Sequence, residues 1–209
     1  MNNIDVEEEE EDDDIKVILI GEMGTGKTSL INTSIGLEFK DKVDSTQSSS
    51  IMQKKMTINN KEYLIYLWDT MGQEQFRSLT KLFMKGAKIV ILVYDITRIN
   101  TFKQLEFWLD SIKEVLGDKP ILGIVGNKSD LYDNEEIKEE EAEEYANKKG
   151  IPFTLASAKT PKTFSDFLEK LVKEYLEIID KKREKSIIGG VKIDIENNSI
   201  KPKKKKNCC

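Results

Sequence analysis

The sequence predicts an α/β domain built on a mainly parallel, six-stranded sheet with helices on both faces. Two patterns predict it. Short apolar, β-rich runs recur along the chain, and amphipathic stretches of helical period fill the gaps between them. A third observation locates function: the polar and glycine-bearing motifs follow the ends of the apolar runs, where open α/β sheets bind ligands.

The first strand is KVILI (16–20), and it passes directly into GEMGTGKTSLI, whose second half reads as a helix. A run from Ile51 to Ile58, then Asn59-Asn60, then YLIYLW (63–68) reads as a hairpin. KIVILVYDI (88–96) and ILGIVGN (121–127) are near-continuously apolar, as strands buried on both faces of a parallel sheet must be. PFTLAS (152–157) is a weaker sixth strand. Between these, residues 101–116 place Phe102, Leu105, Leu109, Ile112 and Leu116 on one helical face. Residues 163–182 do the same with Phe164, Phe167, Leu168, Leu171, Val172 and Tyr175. These stripes, and Trp108, are read as core packing rather than cofactor contacts. Periodicity is lost from about residue 183, where Gly189-Gly190, Asn197-Asn198 and the lysine run read as a flexible linker.

Composition narrows the chemistry. The 209-residue chain holds no histidine, which rules out His/Cys zinc sites and imidazole acid–base catalysis. Its two cysteines are adjacent at positions 208 and 209 and cannot staple a fold. The net charge of −5 conceals an asymmetry: residues 1–14 carry EEEEEDDD, whereas the chain closes on KPKKKKNCC. The acidic arm reads as a solvated, disordered segment, with a specific partner as the alternative. No apolar run reaches the roughly 20 residues that span a bilayer, and the acidic start resembles no secretory or transit signal. The expected organisation is an arm (1–14), a folded domain (15–180) and a tail (181–209), in a cytosolic protein.

GEMGTGKTS fits the phosphate-loop pattern G-x-x-x-x-G-K-[ST] through Gly21, Gly26, Lys27 and Thr28. Glycines let backbone N–H groups wrap an anion, and the following helix turns the positive end of its dipole toward it. Gly21, Glu22, Met23, Gly24, Thr25, Gly26, Lys27, Thr28 and Ser29 are therefore the candidate phosphate surface. Lys27 is expected to bridge the β- and γ-phosphates, and the Thr28 hydroxyl to ligate Mg²⁺. Asp69, at the end of YLIYLW, is expected to hold the same ion through water. Gly72 is placed to bring its N–H to a γ-phosphate, and Gln73 to orient an attacking water.

The base is selected by NKSD. A carboxylate at Asp130 accepts from guanine N1–H and its exocyclic amine, whereas adenine offers a lone pair and no amine there. Lys128 would lay its stem along the base, and Asn127 would tie neighbouring loops together. A kinase or ATPase on the same loop is disfavoured, because NKSD reads guanine and no acceptor-substrate lid is apparent.

With GEMGTGKTS, LWDTMGQEQFRSL, ILVYDIT, GNKSDL and LASAK in place, the chain resembles a small GTPase of the Ras superfamily, and specifically the Rab family. The resemblance covers residues 15–180 and implies a P-loop G domain that cycles between GTP and GDP. Counting from Thr28 or from Trp68, it places the first-switch threonine at Thr46, a second direct Mg²⁺ ligand, and the residue that packs on guanine at Phe39. Ser157, Ala158 and Lys159 would complete the base pocket, with the Ala158 N–H facing the guanine carbonyl. The resemblance implies a monomer with an exchange factor, an activator, a GDP-dissociation inhibitor and effectors as partners, in vesicle traffic and without nucleic acid. It also implies geranylgeranyl groups on Cys208 and Cys209, so that the protein sits on the cytoplasmic face of a membrane and exchanges with the cytosol. Two lipid chains give stable anchoring where one is marginal, and each lysine adds about 1 kcal/mol near an anionic leaflet.

Three positions depart from the family pattern: Met23 where a small residue is usual, Met71 in place of the alanine of DTAG, and QSSSI (47–51) in place of IGVDF. QSSSI puts hydroxyls where the family presents an apolar effector surface. Met23 either crowds the space an incoming arginine finger needs or, being flexible, folds aside. The first case, together with Met71, gives a slowly hydrolysing, GTP-loaded interaction module rather than a freely cycling switch. If Met23 crowds the finger, Met23→Ser should raise activator-stimulated hydrolysis. An unchanged stimulated rate would leave the methionine folded aside.

Overall fold

The computed structural model describes residues 14–41, 49–70 and 77–190. Thr46, Met71, Gly72, Gln73, Cys208 and Cys209, with the lysine run and all of the acidic run but Asp14, lie outside the described residues. The strands are β1 (Asp14–Ile20), β2 (Ser50–Ile58), β3 (Lys61–Asp69), β4 (Ile89–Asp95), β5 (Ile121–Asn127) and β6 (Phe153–Ala156). The helices are α1 (Lys27–Ser34), α2 (Arg77–Met84), α3 (Ile99–Lys103), α4 (Leu105–Leu116), α5 (Glu139–Lys149) and α6 (Pro161–Gly190), with a 3₁₀ turn at Ser129–Asn134.

All six strands join one sheet in the order β2-β3-β1-β4-β5-β6. Every pairing is parallel except β2 with β3. That exception follows from the turn: Asn59 and Asn60 both take positive φ, 50° and 64°, the twist a two-residue hairpin needs. β2 alternates exposed and covered residues as an edge strand should, while every residue of the central β4 is buried.

Both faces of the sheet are covered. Ile18, Ile20, Val90, Leu92 and Ile124 share a core with Met84 of α2, Phe102 of α3, Trp108 and Ile112 of α4, and Ala142 and Ala146 of α5. Gly123, the alternate residue of β5, turns to the other face, and a Cβ on it would press against Phe167 and Leu171 of α6. The predicted stripe of α6 is buried from Phe164 to Val172.

Two boundaries differ from expectation. The helix predicted over 101–116 is two helices that begin at Ile99 and meet at Gln104. Residues beyond 183, read from sequence as linker, continue α6 to Gly190. Loss of apolar period removes the signal for a buried face without removing helix propensity.

Contacts divide the chain into Met1–Tyr175, which contains the whole sheet, and Leu176–Cys209, which holds the last part of α6. No helix among the described residues is long and apolar enough to cross a membrane.

Candidate nucleotide-binding site

The loop from Gly21 to Gly26 leaves the carboxyl end of β1 and enters α1. Gly26 has φ +89°, and a Cβ there would overlap Asn127 Nδ2, so backbone and space both require glycine. A Cβ on Gly21 would overlap the Val93 carbonyl. Thr25 is buried and its Oγ1 donates to the Glu22 carbonyl at 3.0 Å. α1 starts without a side-chain cap and without an acidic residue in its first turn, so its first N–H groups are left to an anion.

Lys27 is 5% exposed and curls over the loop, donating to the carbonyls of Gly21 (2.9 Å) and Glu22 (3.0 Å). Burial pulls its ammonium down to about 8, against Asp69 and Glu22, which favour the charged form, while Arg98 adds to the lowering. One residue on, Thr28 Oγ1 donates to Asp69 Oδ2 at 2.6 Å. A hydroxyl from the first turn of α1 and a buried carboxylate from the end of β3 thus stand side by side. Among the described residues no group of three or more His, Cys, Asp or Glu side chains is placed to hold a metal ion by itself. Two hard oxygens from protein, completed by phosphate and water, is the donor set that suits Mg²⁺. Ser29 lies in the first turn of α1, where its carbonyl accepts Thr33 Oγ1 at 2.9 Å.

The base side is built on β5. Asn127, its last residue, donates from Nδ2 to the Thr25 carbonyl at 2.7 Å. The tie that sequence assigned to it is therefore made, and made to the phosphate loop. Asn127 Oδ1 is buried with no partner among the described residues, a polar atom left for a ligand or water. Asp130 receives Ser157 Oγ at 2.6 Å and Lys159 Nζ at 2.9 Å. Burial works to raise its pKa, but those two donors outweigh burial and hold the carboxyl below its ordinary value. The acceptor is thus kept ionised. Ser157 also takes the Lys159 N–H at 3.1 Å, and Ala158 is buried between them. Lys159 Nζ stands 5.6 Å from the Phe39 ring centroid, so the aromatic residue located by counting does reach the base loops.

Residues the motif reading left without a role also meet here. Trp108, buried in the core as predicted, donates from Nε1 to Glu22 of the phosphate loop at 3.3 Å. Asp95, at the end of β4, pairs with Lys128 at 2.6 Å and with Arg98 at 2.9 Å. The available signal was an acid ending an otherwise apolar strand in ILVYDIT. Met23 is 50% exposed at the loop's crest.

A model of the Ras family matches residues 16–177. The chain belongs to the Ras family. Within that family it is a Rab-type small GTPase, 37% identical over 162 residues to "Ras-related protein Rab-21" of Geodia cydonium, an alignment covering 78% of this chain and 71% of that one. As a Ras-family GTPase it converts GTP and water to GDP and phosphate.

For this GTPase the depressed Lys27 has a consequence with a definite sign. Below about pH 8 the free protein already carries the proton. Above it, a lysine that must be charged against phosphate has to take up a proton on binding, so affinity falls by up to about tenfold per pH unit. In the nucleotide-free state the unfolded chain binds more protons in the same range, so folding stability rises with pH there. The dissociation constant for GDP is expected to increase from about pH 8 to about pH 9.5, and Lys27→Arg, permanently charged, to flatten the slope. A parent protein whose affinity is constant over that range would contradict a neutralising Lys27.

Proposed function

We propose that this Rab-type GTPase is a GTP/GDP-cycling switch that recruits effectors in vesicle and membrane traffic while held on a membrane by its C-terminus. The observation that carries the reading is convergence. Lys27 and Thr28 at the start of α1, Asp69 at the end of β3 and Asp130 just after β5 come together around the Asn127 tie to the phosphate loop.

In this reading residues 15–180 bind nucleotide. The loop amides and Lys27 hold the phosphates, and Asp130, kept ionised by Ser157 and Lys159, accepts the two guanine N–H donors. Phe39 and the Lys128 stem enclose the base. Thr28, Asp69 and Thr46 would hold Mg²⁺, which when bound offsets phosphate charge. Gln73 orients the attacking water, and Thr46 and Gly72 register the γ-phosphate. Loss of that phosphate releases their segments, an order–disorder switch read by effectors.

The tail, residues 181–209, supplies attachment through prenyl groups on Cys208 and Cys209, supported by the lysines on an anionic cytoplasmic leaflet. An exchange factor, an activator and a GDP-dissociation inhibitor would drive nucleotide and membrane cycles, with the protein acting as a monomer.

The test has two arms on the full chain. With Mg²⁺, single-turnover hydrolysis of GTP should persist in a large excess of ATP, and inhibition by equimolar ATP would refute guanine selection. In cells, deleting Cys208 and Cys209 should move the protein from membrane to cytosol; unchanged membrane recovery would refute the anchor.

A further inference from the structure

Asp95 ends β4 with a side chain only 1% exposed, and its carboxylate is fully engaged. Oδ1 receives the Thr97 N–H at 3.0 Å and the Thr97 hydroxyl at 2.7 Å. Oδ2 receives Arg98 Nε at 2.9 Å and Lys128 Nζ at 2.6 Å. The buried carboxylate with its four donors is a fixed node, from which Arg98, itself 43% exposed, reaches out to the surface.

Both cations on that node reach a nucleotide loop. Arg98 Nη2 donates to the Met23 carbonyl at 2.9 Å, while Lys128 lies in the base-reading loop between Asn127 and Asp130. The guanidinium is a rigid fork, so gripping Asp95 with Nε fixes where Nη2 points. Across a trans peptide the carbonyl and the N–H of one plane point in opposite directions, and the described backbone contains no cis bond. Holding the Met23 carbonyl toward Arg98 therefore holds the Gly24 N–H on the opposite side of the loop.

We propose that Arg98, anchored by Asp95, is a positioning residue for nucleotide retention: it fixes the Met23–Gly24 peptide of the phosphate loop and links that loop to the base-reading loop through Lys128. The inference rests on the guanine-nucleotide reading of the site and adds to it a role for Arg98, which lies just beyond the ILVYDIT stretch. The contact to Met23 is made to its backbone, so it is independent of the thioether. The positive charge of Arg98 is also felt at Lys27, as expected of a group beside the phosphate loop.

The experiment uses the full chain loaded with GDP, as the parent protein, Arg98→Ala and Arg98→Lys. It records displacement of fluorescent GDP by excess GDP, and the phosphorus NMR spectrum of bound GDP. Arg98→Ala should release GDP about tenfold faster, the loss of a charge-assisted hydrogen bond, and should shift the β-phosphorus resonance. Arg98→Lys carries the charge but not the fork, and should lie closer to Arg98→Ala than to the parent. Parent-like release in Arg98→Ala overturns the clamp. Faster release with an unmoved β-phosphorus resonance overturns it too, by reducing Arg98 to packing, as does full recovery in Arg98→Lys. A parent that retains no GDP sinks the nucleotide reading itself; a retentive parent with an indifferent Arg98→Ala sinks only the clamp.

Discussion

One buried hydrogen bond organises the site: Asn127 Nδ2 to the Thr25 carbonyl, at 2.7 Å, passing over Gly26. It joins the end of β5 to a loop that begins on β1, two strands away in the sheet. Only a residue without a Cβ fits beneath the amide, so the glycine of the phosphate loop serves the base loop as well as the phosphates. An amide here has a cost if unmet, because a buried polar group without a partner loses its hydration and gains nothing. The bond therefore makes the two loops interdependent.

Around that tie, two carboxylates are each held by cations or hydroxyls, Asp95 buried and Asp130 at the surface. Asp95 sits between Arg98 and Lys128, and Asp130 beside Lys159 and Ser157. Lys27 differs from both. Among the described residues its Nζ donates to the Gly21 and Glu22 carbonyls, and burial lowers its pKa to about 8 against the pull of Asp69 and Glu22. A lysine whose burial outweighs the two nearby carboxylates gains from a ligand that brings further negative charge, as a phosphate would.

Much of this was legible in sequence because the determinants are local. GEMGTGKTS specifies a loop by glycine spacing, the apolar runs specify strands by length and composition, and Asn59-Asn60 specifies the hairpin turn through two left-handed residues. Phe39, placed by counting, lies with its ring 5.6 Å from Lys159 Nζ of the base loops. What escaped was relational. Arg98 and Asp95 are ordinary in a linear reading, and their meaning comes from β4 lying between β1 and β5. Trp108 was rightly assigned to the core, yet its indole N–H also reaches Glu22, a contact periodicity does not encode. The extension of α6 past residue 183 was missed because its period fades while its helical propensity persists.

Substituting Asn127 tests whether one amide unites the phosphate and base halves. Equilibrium affinities of Asn127→Ala for GDP and for GTP, measured on folded protein with magnesium, should both fall by about tenfold to a hundredfold, since the change leaves the Thr25 carbonyl unmet and frees both loops. Affinities that match the parent for both nucleotides would show that the two halves stand without this bond.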